Sequence, residues 1–170
     1  MKKEIVLITG GDGNIAQEIV KKYLENESVV IATDIHENTS NSEFLKNENY
    51  EYYQADVTNI EDLKNVYNKI QEKYGRITHL ISAAGRPMPT EIDGIQSVTF
   101  EEIEKSVNLN LTSHIYIVKI FLDLLENEKK NNKTITLISS VNALKTFNLP
   151  VYSAAKSGIY GIMKALTKEL

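Results

Sequence analysis

Ile5-Val-Leu-Ile-Thr9-Gly10-Gly-Asp-Gly13-Asn-Ile-Ala16 decides how the rest of the chain is read. Glu4–Thr9 is a short aliphatic and β-branched run, which reads as a buried strand. It breaks at Gly10 and Gly13, where the backbone can turn tightly. Ile15, Ile19, Val20 and Tyr23 follow at helical spacing, as one predicted packing face. Strand, glycine turn and helix form the opening unit of an α/β protein, with the helix N-terminus presented to whatever approaches the turn.

The same alternation continues outward. Ser28–Thr33 and Tyr50–Asp56 read as strands. Thr58-x-x-Glu61 has the capping-box pattern, and Ile60, Leu63, Val66, Tyr67 and Ile70 then recur at helical spacing until Gly75. Ile77–Ser82 is a fourth strand, running into Ala83-Ala84-Gly85. Arg86–Val98, with two prolines and a glycine, reads as a loop. Thr99-x-x-Glu102 is a second capping box and opens a long predicted helix to about Glu126. Lys133–Ser140 is the fifth strand and Pro150–Leu170 the last helix, while the polar stretch Asn38–Asn49 is left as loop or frayed helix. Strands alternating with helices predict one doubly wound α/β domain over residues 1–170, a parallel sheet with helices on both faces.

A length of 170 residues suits one domain with a sizeable core, and the net charge of −4 argues against a nucleic-acid surface. Lys129, Lys130 and Lys133 form a small basic cluster that solvation explains. There are no cysteines, so thiolate metal sites and disulfides are excluded. His36, His79 and His114 show no ligand spacing, and no metal is assigned. No apolar run approaches the length of a membrane span, so the default location is cytoplasmic.

Two constellations carry chemistry. Asp34 ends the second strand about 20 residues after the glycines, where a Rossmann-type dinucleotide site expects an acid. A carboxylate there bonds the adenosine ribose hydroxyls and repels a 2′-phosphate. Asp12 adds negative charge, residue 35 is isoleucine, and the glycine loop holds no arginine or lysine, so NAD is expected over NADP. The second constellation is Tyr152-Ser-Ala-Ala-Lys156 with Ser140 upstream. On a helix Tyr152 and Lys156 share one face, a turn apart. A fixed ammonium beside a phenol favours phenolate and makes it usable for proton transfer. Tyr160 and Lys164 repeat the spacing, but they lie about 12 Å further along the helix and turned away by roughly 80°. Pro150, at a helix start, and Ser140, closing a β-type run, place Tyr152 at the strand C-terminal rim, where such sheets hold ligands.

In this order and spacing, the glycine loop, Asp34, Asp56-Val57, Ala83-Ala84-Gly85, Asn110-Leu-Thr-Ser, Ser140 and Tyr152-x-x-x-Lys156 resemble the short-chain dehydrogenase/reductases, from Ile5 to Leu170. The resemblance implies an NAD(H)-dependent oxidoreductase interconverting a secondary alcohol and a ketone, or a related carbonyl. It implies Tyr152 as general acid/base, Lys156 supporting it and bonding the nicotinamide ribose, Ser140 orienting the substrate oxygen, with Ser139 as its near neighbour, and Asn110 holding a relay water. Gly10, Gly13, Asn14 and Ile15 would meet the dinucleotide, with Asp56 and Val57 at the adenine and Ala83, Ala84 and Gly85 running along it. Asn108 competes with Asn110 on periodicity, and Asn110 shares its stripe with Ile103, Val107, His114, Ile117 and Phe121. A homo-oligomer formed through the Asn110 and Tyr152 helices is also implied.

Departures from the family pattern set two alternatives. Asn14 and Ala16 stand where many relatives carry glycine, a variant shared with sugar-nucleotide epimerases and dehydratases, although the short gap from Ser140 to Tyr152 argues against that branch. Relatives continue into a sixth strand, a Pro-Gly turn, a substrate lid and a seventh strand. The Rossmann-type fold is therefore expected to be C-terminally incomplete, with strands six and seven missing and strand five left open. A non-catalytic dinucleotide-binding fragment is the other alternative.

Overall fold

In the computed structural model, which describes residues 3–37, 43–128, 133–145 and 147–169, Ile5–Thr9 form β1, buried at every position. Contacts divide the chain into two compact units, Met1–Ala84 with Tyr116–Thr136, and Gly85–Ile115 with Leu137–Leu170.

The first unit holds the sheet. β1, β2 (Val29–Asp34), β3 (Tyr50–Gln54), β4 (His79–Ser82) and β5 (Thr134–Leu137) lie in the order β3-β2-β1-β4-β5. The pairs β1–β2, β1–β4 and β2–β3 are parallel, and their register aligns Thr9 with Thr33 and Ser82, and Asp34 with Gln54. The chain steps outward from β1 to β3, then returns across β1 to β4. That reversal is the switch point at which doubly wound sheets open a crevice at their carboxyl rim. Both faces of the central strands are covered. Val6, Ile8, Val30, Ala32 and Ile81 pack with Ala16 and Val20 of helix α1 (Asn14–Glu25). Ile5, Leu7, Ile31 and Leu80, of opposite parity, are also buried, as continuous hydrophobic runs in parallel strands require.

Helix α2 (Ile60–Lys73) buries Leu63, Val66 and Ile70. Gly75 stops it in the left-handed region at φ 66°. Most of helix α4 (Ser113–Glu126) belongs to this unit: Tyr67 Oη donates to Asp123 Oδ2 at 2.6 Å, and Ile77 N–H to the Leu124 carbonyl at 2.9 Å. Beyond α4, a buried ion pair joins Arg76 to Glu128. His79 is structural, with Nδ1 2.8 Å from Thr134 Oγ1 and Nε2 3.6 Å from Glu4 Oε1.

The second unit packs helix α3 (Phe100–Val107) and a π-helical turn (Asn108–Thr112) against helix α5 (Pro150–Glu169). A Cβ on Gly158 would stand 2.7 Å from Leu111 Cδ1, so glycine sets how closely α5 approaches the π turn.

The structure corrects several boundaries. Ile15 is 62% exposed and Ala16 takes the buried place on α1. The cap of α2 is Asn59, whose side chain accepts from Glu61 N–H, because the Thr58 hydroxyl is drawn to Asp56 Oδ1 at 2.7 Å. Thr99 and Glu102 do form the predicted capping box. The long helix is broken by the π turn, where side chains compete for backbone carbonyls: Asn110 Nδ2 donates to Ser106 O and Ser113 Oγ to Leu109 O. The fifth strand ends at Leu137 rather than Ser140. Its next residues turn their polar groups to α5: the Ile138 carbonyl accepts from Lys156, and the Ser139 hydroxyl donates to the Lys156 carbonyl. Arg86–Val98 contains two 3₁₀ turns, Pro89–Asp93 and Ile95–Ser97. Of the polar stretch, Phe44–Lys46 is a 3₁₀ turn, while residues 38–42 lie outside the described residues, as do Lys129, Lys130 and Leu170. Among the described residues no helix is long and apolar enough to cross a membrane.

Candidate active site

At the carboxyl rim of β1 the chain turns through Gly10, at φ 69°. A Cβ there would lie 2.7 Å from Ala84 Cα and 2.8 Å from its nitrogen, so the turn closes against the segment leaving β4 only as glycine. Gly13 N–H donates to the Gly10 carbonyl at 3.0 Å and caps α1 without a side chain. No acidic residue stands in the first turn of α1. Its N–H groups and partial positive charge therefore face outward past the exposed Gly13, Asn14 and Ile15, which suits a pyrophosphate.

Asp34 ends β2 half-buried, with Oδ2 accepting Asp12 N–H at 3.2 Å and Oδ1 accepting His36 N–H at 3.4 Å. Tyr52, whose Oη donates to the His36 carbonyl, reports the local field: burial first, then the Asp34 and Asp12 charges, hold its phenol above the ordinary range. Asp56 Oδ1 accepts the Thr58 N–H at 2.8 Å, and its own N–H donates to Asp62 Oδ2 at 2.9 Å. Val57 is buried. Ala83 N–H is 3.3 Å from both the carbonyl and the hydroxyl of Thr9. These residues accommodate a dinucleotide in an apt order: an uncapped helix end, a cradle that a Cβ would fill, and a carboxylate for hydroxyl donors.

The second unit carries the titratable cluster. Tyr152 and Lys156 lie one turn apart on α5, with Nζ 5.8 Å from the phenol ring centroid. Lys156 is buried; its ammonium donates to the Ile138 carbonyl at 3.0 Å and lies 3.4 Å from His114 Nε2. Burial pushes it down to about 8. Of the two candidate serines, Ser139 spends its hydroxyl on the Lys156 carbonyl at 2.8 Å. Ser140 caps a short 3₁₀ turn by accepting Asn142 N–H at 3.2 Å, its hydroxyl makes only a long donation of 3.4 Å to Asn142 Oδ1, and it remains half-exposed. Asn110 is fully buried: Oδ1 accepts Arg86 N–H, and Nδ2 donates to the carbonyls of Arg86 and Ser106, all at 2.9 Å. Its side chain thus clamps the backbone after Gly85. A Cβ on Gly85 would fall 2.8 Å from Asn110 Oδ1 and 2.9 Å from Lys156 Nζ, so any side chain there would crowd both groups.

The sequence left two buried groups beside this cluster unmarked. His114 was one member of a mostly apolar stripe, and nothing in its spacing signalled that it faces Lys156. Glu91, in a stretch read as loop, is fully buried and holds N–H groups of α5. A charged residue inside a proline-rich loop carries no periodic signal.

Glycine turn, acid at the end of the second strand and reversed strand order are the features of a doubly wound α/β fold. The family model for short chain dehydrogenase matches residues 4–170, and the chain belongs to that family, whose members are oxidoreductases that bind nicotinamide dinucleotides. It is 27% identical over 169 residues to an uncharacterized oxidoreductase of Saccharomyces cerevisiae, covering 99% of this chain and 53% of the yeast protein. Among solved structures it is similar to a short chain dehydrogenase of Leptospira borgpetersenii with bound NAD+, with a TM-score of 0.87 and 25% identity over 99% of this chain and 66% of that one. It is also similar to ElxO with NADP bound, with a TM-score of 0.82 and 28% identity over 95% of this chain and 65% of that one. The chain therefore spans between half and two-thirds of the length of these relatives.

Proposed function

We propose that this chain carries the NAD(H)-dependent interconversion of a secondary alcohol and a ketone, or a related carbonyl, with Tyr152 as the general acid/base. The observation that carries the reading is the Tyr152–Lys156 pair on α5. A buried ammonium lies one turn from a half-buried phenol, on a helix bonded to the segment holding Ser140. The dinucleotide, when bound, supplies or accepts the hydride. Tyr152 Oη gives the proton to the carbonyl oxygen in reduction and takes it back in oxidation. Lys156 favours the phenolate that remains. The Ser140 hydroxyl donates to the substrate oxygen and orients it. Asn110, its side chain already used by Arg86 and Ser106, acts by holding the Gly85–Arg86 backbone and offers only its main chain to a relay water.

Gly10, Gly13, Asn14 and Ile15 are the proposed pyrophosphate contacts, Asp34 the ribose acceptor, Asp56 and Val57 the adenine contacts, and Ala83, Ala84 and Gly85 the stretch along the cofactor. NAD is favoured over NADP because Asp34 and Asp12 concentrate negative charge where a 2′-phosphate would lie. Self-association through the Asn110 and Tyr152 helices fits the apolar residues left open on them, Ile115 at 44%, Tyr160 at 59% and Met163 at 43% exposure.

The test is NADH oxidation across a panel of ketones. Tyr152→Phe abolishes turnover and leaves NADH binding, read by fluorescence, nearly unchanged. Turnover retained in that variant removes Tyr152 from the mechanism, and NADH binding without turnover on any carbonyl favours a non-catalytic binding role.

A further inference from the structure

We infer that Glu91 is a positioning residue for the proton-transfer helix, an inference that rests for its catalytic half on the function proposed above. Glu91 is fully buried in the 3₁₀ turn Pro89–Asp93. A buried carboxylate is costly unless donors surround it. Here Oε2 accepts the N–H groups of Val151 and Tyr152 at 3.1 and 2.9 Å, and Oε1 accepts the Ser106 hydroxyl at 3.1 Å and the Met88 N–H at 3.3 Å.

The first turn of α5 shows why this matters. A helix leaves its opening N–H groups without partners inside the helix. Pro150 has none to satisfy, Ser153 N–H reaches the Leu149 carbonyl at 2.8 Å, and Val151 and Tyr152 are taken by Glu91. No acidic residue lies in that turn of α5 itself, so the charge that complements the helix dipole comes from a loop about 60 residues earlier in the chain. The bond to Tyr152 is made to the backbone of the very residue that moves the proton. Lys156 follows one turn later on the same rigid element.

The other carboxylate oxygen extends the connection. Ser106 donates its hydroxyl to Glu91 and offers its carbonyl to Asn110 Nδ2, and Asn110 holds both backbone groups of Arg86. A continuous set of hydrogen bonds therefore runs from the Gly85–Arg86 backbone through Asn110, Ser106 and Glu91 to the Tyr152 amide. Glu91 fixes the rotation and axial position of α5 with respect to that backbone and the π turn.

The experiment compares Glu91→Ala and Glu91→Gln with wild type by amide hydrogen exchange, urea unfolding, NADH affinity and kcat. In wild type the Val151 and Tyr152 amides are protected, and Glu91→Ala loses that protection. Its kcat falls about tenfold to a hundredfold, the scale of a misplaced catalytic group, while NADH affinity stays within about twofold. Glu91→Gln keeps a carbonyl oxygen for the two α5 amides and turns its NH2 to the Ser106 oxygen, giving up only the longer Met88 N–H bond, so it recovers most of kcat. A folded Glu91→Ala protein with wild-type kcat overturns the inference. So does a kcat loss that only tracks the unfolded fraction. If wild type turns over no carbonyl, the proposed function has failed; Glu91 is then judged on exchange, and unprotected Val151 and Tyr152 amides in wild type overturn it.

Discussion

The Lys156 ammonium donates to the Ile138 carbonyl at 3.0 Å from a position that is almost wholly buried. A carbonyl is a dipole rather than a counter-charge, so it replaces only part of the water that the ammonium gives up. The protein holds this cation at a cost to its own stability, a familiar feature of sites arranged for chemistry.

That cost has a pH signature. Burial brings Lys156 to about 8, whereas in the unfolded chain it titrates near 10.5. Below pH 8 both states carry the proton and the penalty is fully present. Between about pH 8 and 10 the unfolded chain holds more protons, so stability rises with pH, at no more than about 1.4 kcal/mol per unit. Above pH 10 the trend is opposed by Tyr52, Tyr53 and Tyr74, whose phenols are raised in the folded state chiefly by burial, Tyr53 to about 12. Subtracting Lys156→Met isolates the lysine. The wild-type urea midpoint should climb relative to that variant from pH 8 to 10, and parallel curves would refute a buried ammonium.

The two serines before α5 separate by what each hydroxyl already does. Ser140→Ala removes the half-exposed hydroxyl and lowers kcat by about a hundredfold, as loss of one donor to a reacting oxygen does. Ser139→Ala removes the bond to the Lys156 carbonyl and registers first as about 1 kcal/mol of lost stability. Paired urea melts and ketone-reduction assays check this, and the reverse ranking would exchange their roles.

The α/β architecture was legible because buried parallel strands write themselves as aliphatic runs, as at Ile5–Thr9, and because glycine and acid stand at fixed offsets from the strand ends. The breaks were not. Asn108–Thr112 has ordinary helical spacing, and at its π turn the Asn110 and Ser113 side chains take the Ser106 and Leu109 carbonyls while Asn110 also holds Arg86, a long-range contact no window detects. The fifth strand stops early because α5 takes the polar groups of residues 138 and 139. Thr58 fitted a cap pattern but lost its hydroxyl to Asp56. Ser139 and Ser140 are indistinguishable as letters and differ only in their partners. Glu91 and His114 are invisible to pattern because their significance is burial beside a helix defined elsewhere in the chain.

Cofactor choice is testable at Asp34. Its Oδ2 accepts Asp12 N–H at 3.2 Å, so truncation would confound charge with a lost hydrogen bond. Asp34→Asn keeps an acceptor and removes the charge. Relative affinity for NADPH over NADH should rise at least about tenfold, or about 1.4 kcal/mol, from relief of like-charge repulsion. Fluorescence titration with both dinucleotides measures it. An unchanged ratio would mean that the 2′-phosphate does not approach Asp34.

Gly10 and Gly161 give opposite expectations for the same substitution. At Gly10 an alanine must adopt φ 69° and place its Cβ 2.7 Å from backbone atoms of Ala84, which cannot yield as a side chain would. Left-handed backbone and overpacking together cost about 2 kcal/mol or more. The turn that faces the pyrophosphate shifts, so NADH affinity falls with stability. At Gly161, in the interior of α5, an added Cβ meets nothing within 4 Å. There alanine gains helix propensity and stabilises by about 0.5–1 kcal/mol. Urea unfolding of the two variants beside wild type should therefore move in opposite directions, with NADH titration altered only for Gly10→Ala. A Gly10→Ala protein that binds NADH normally would show that the turn does not close against Ala84.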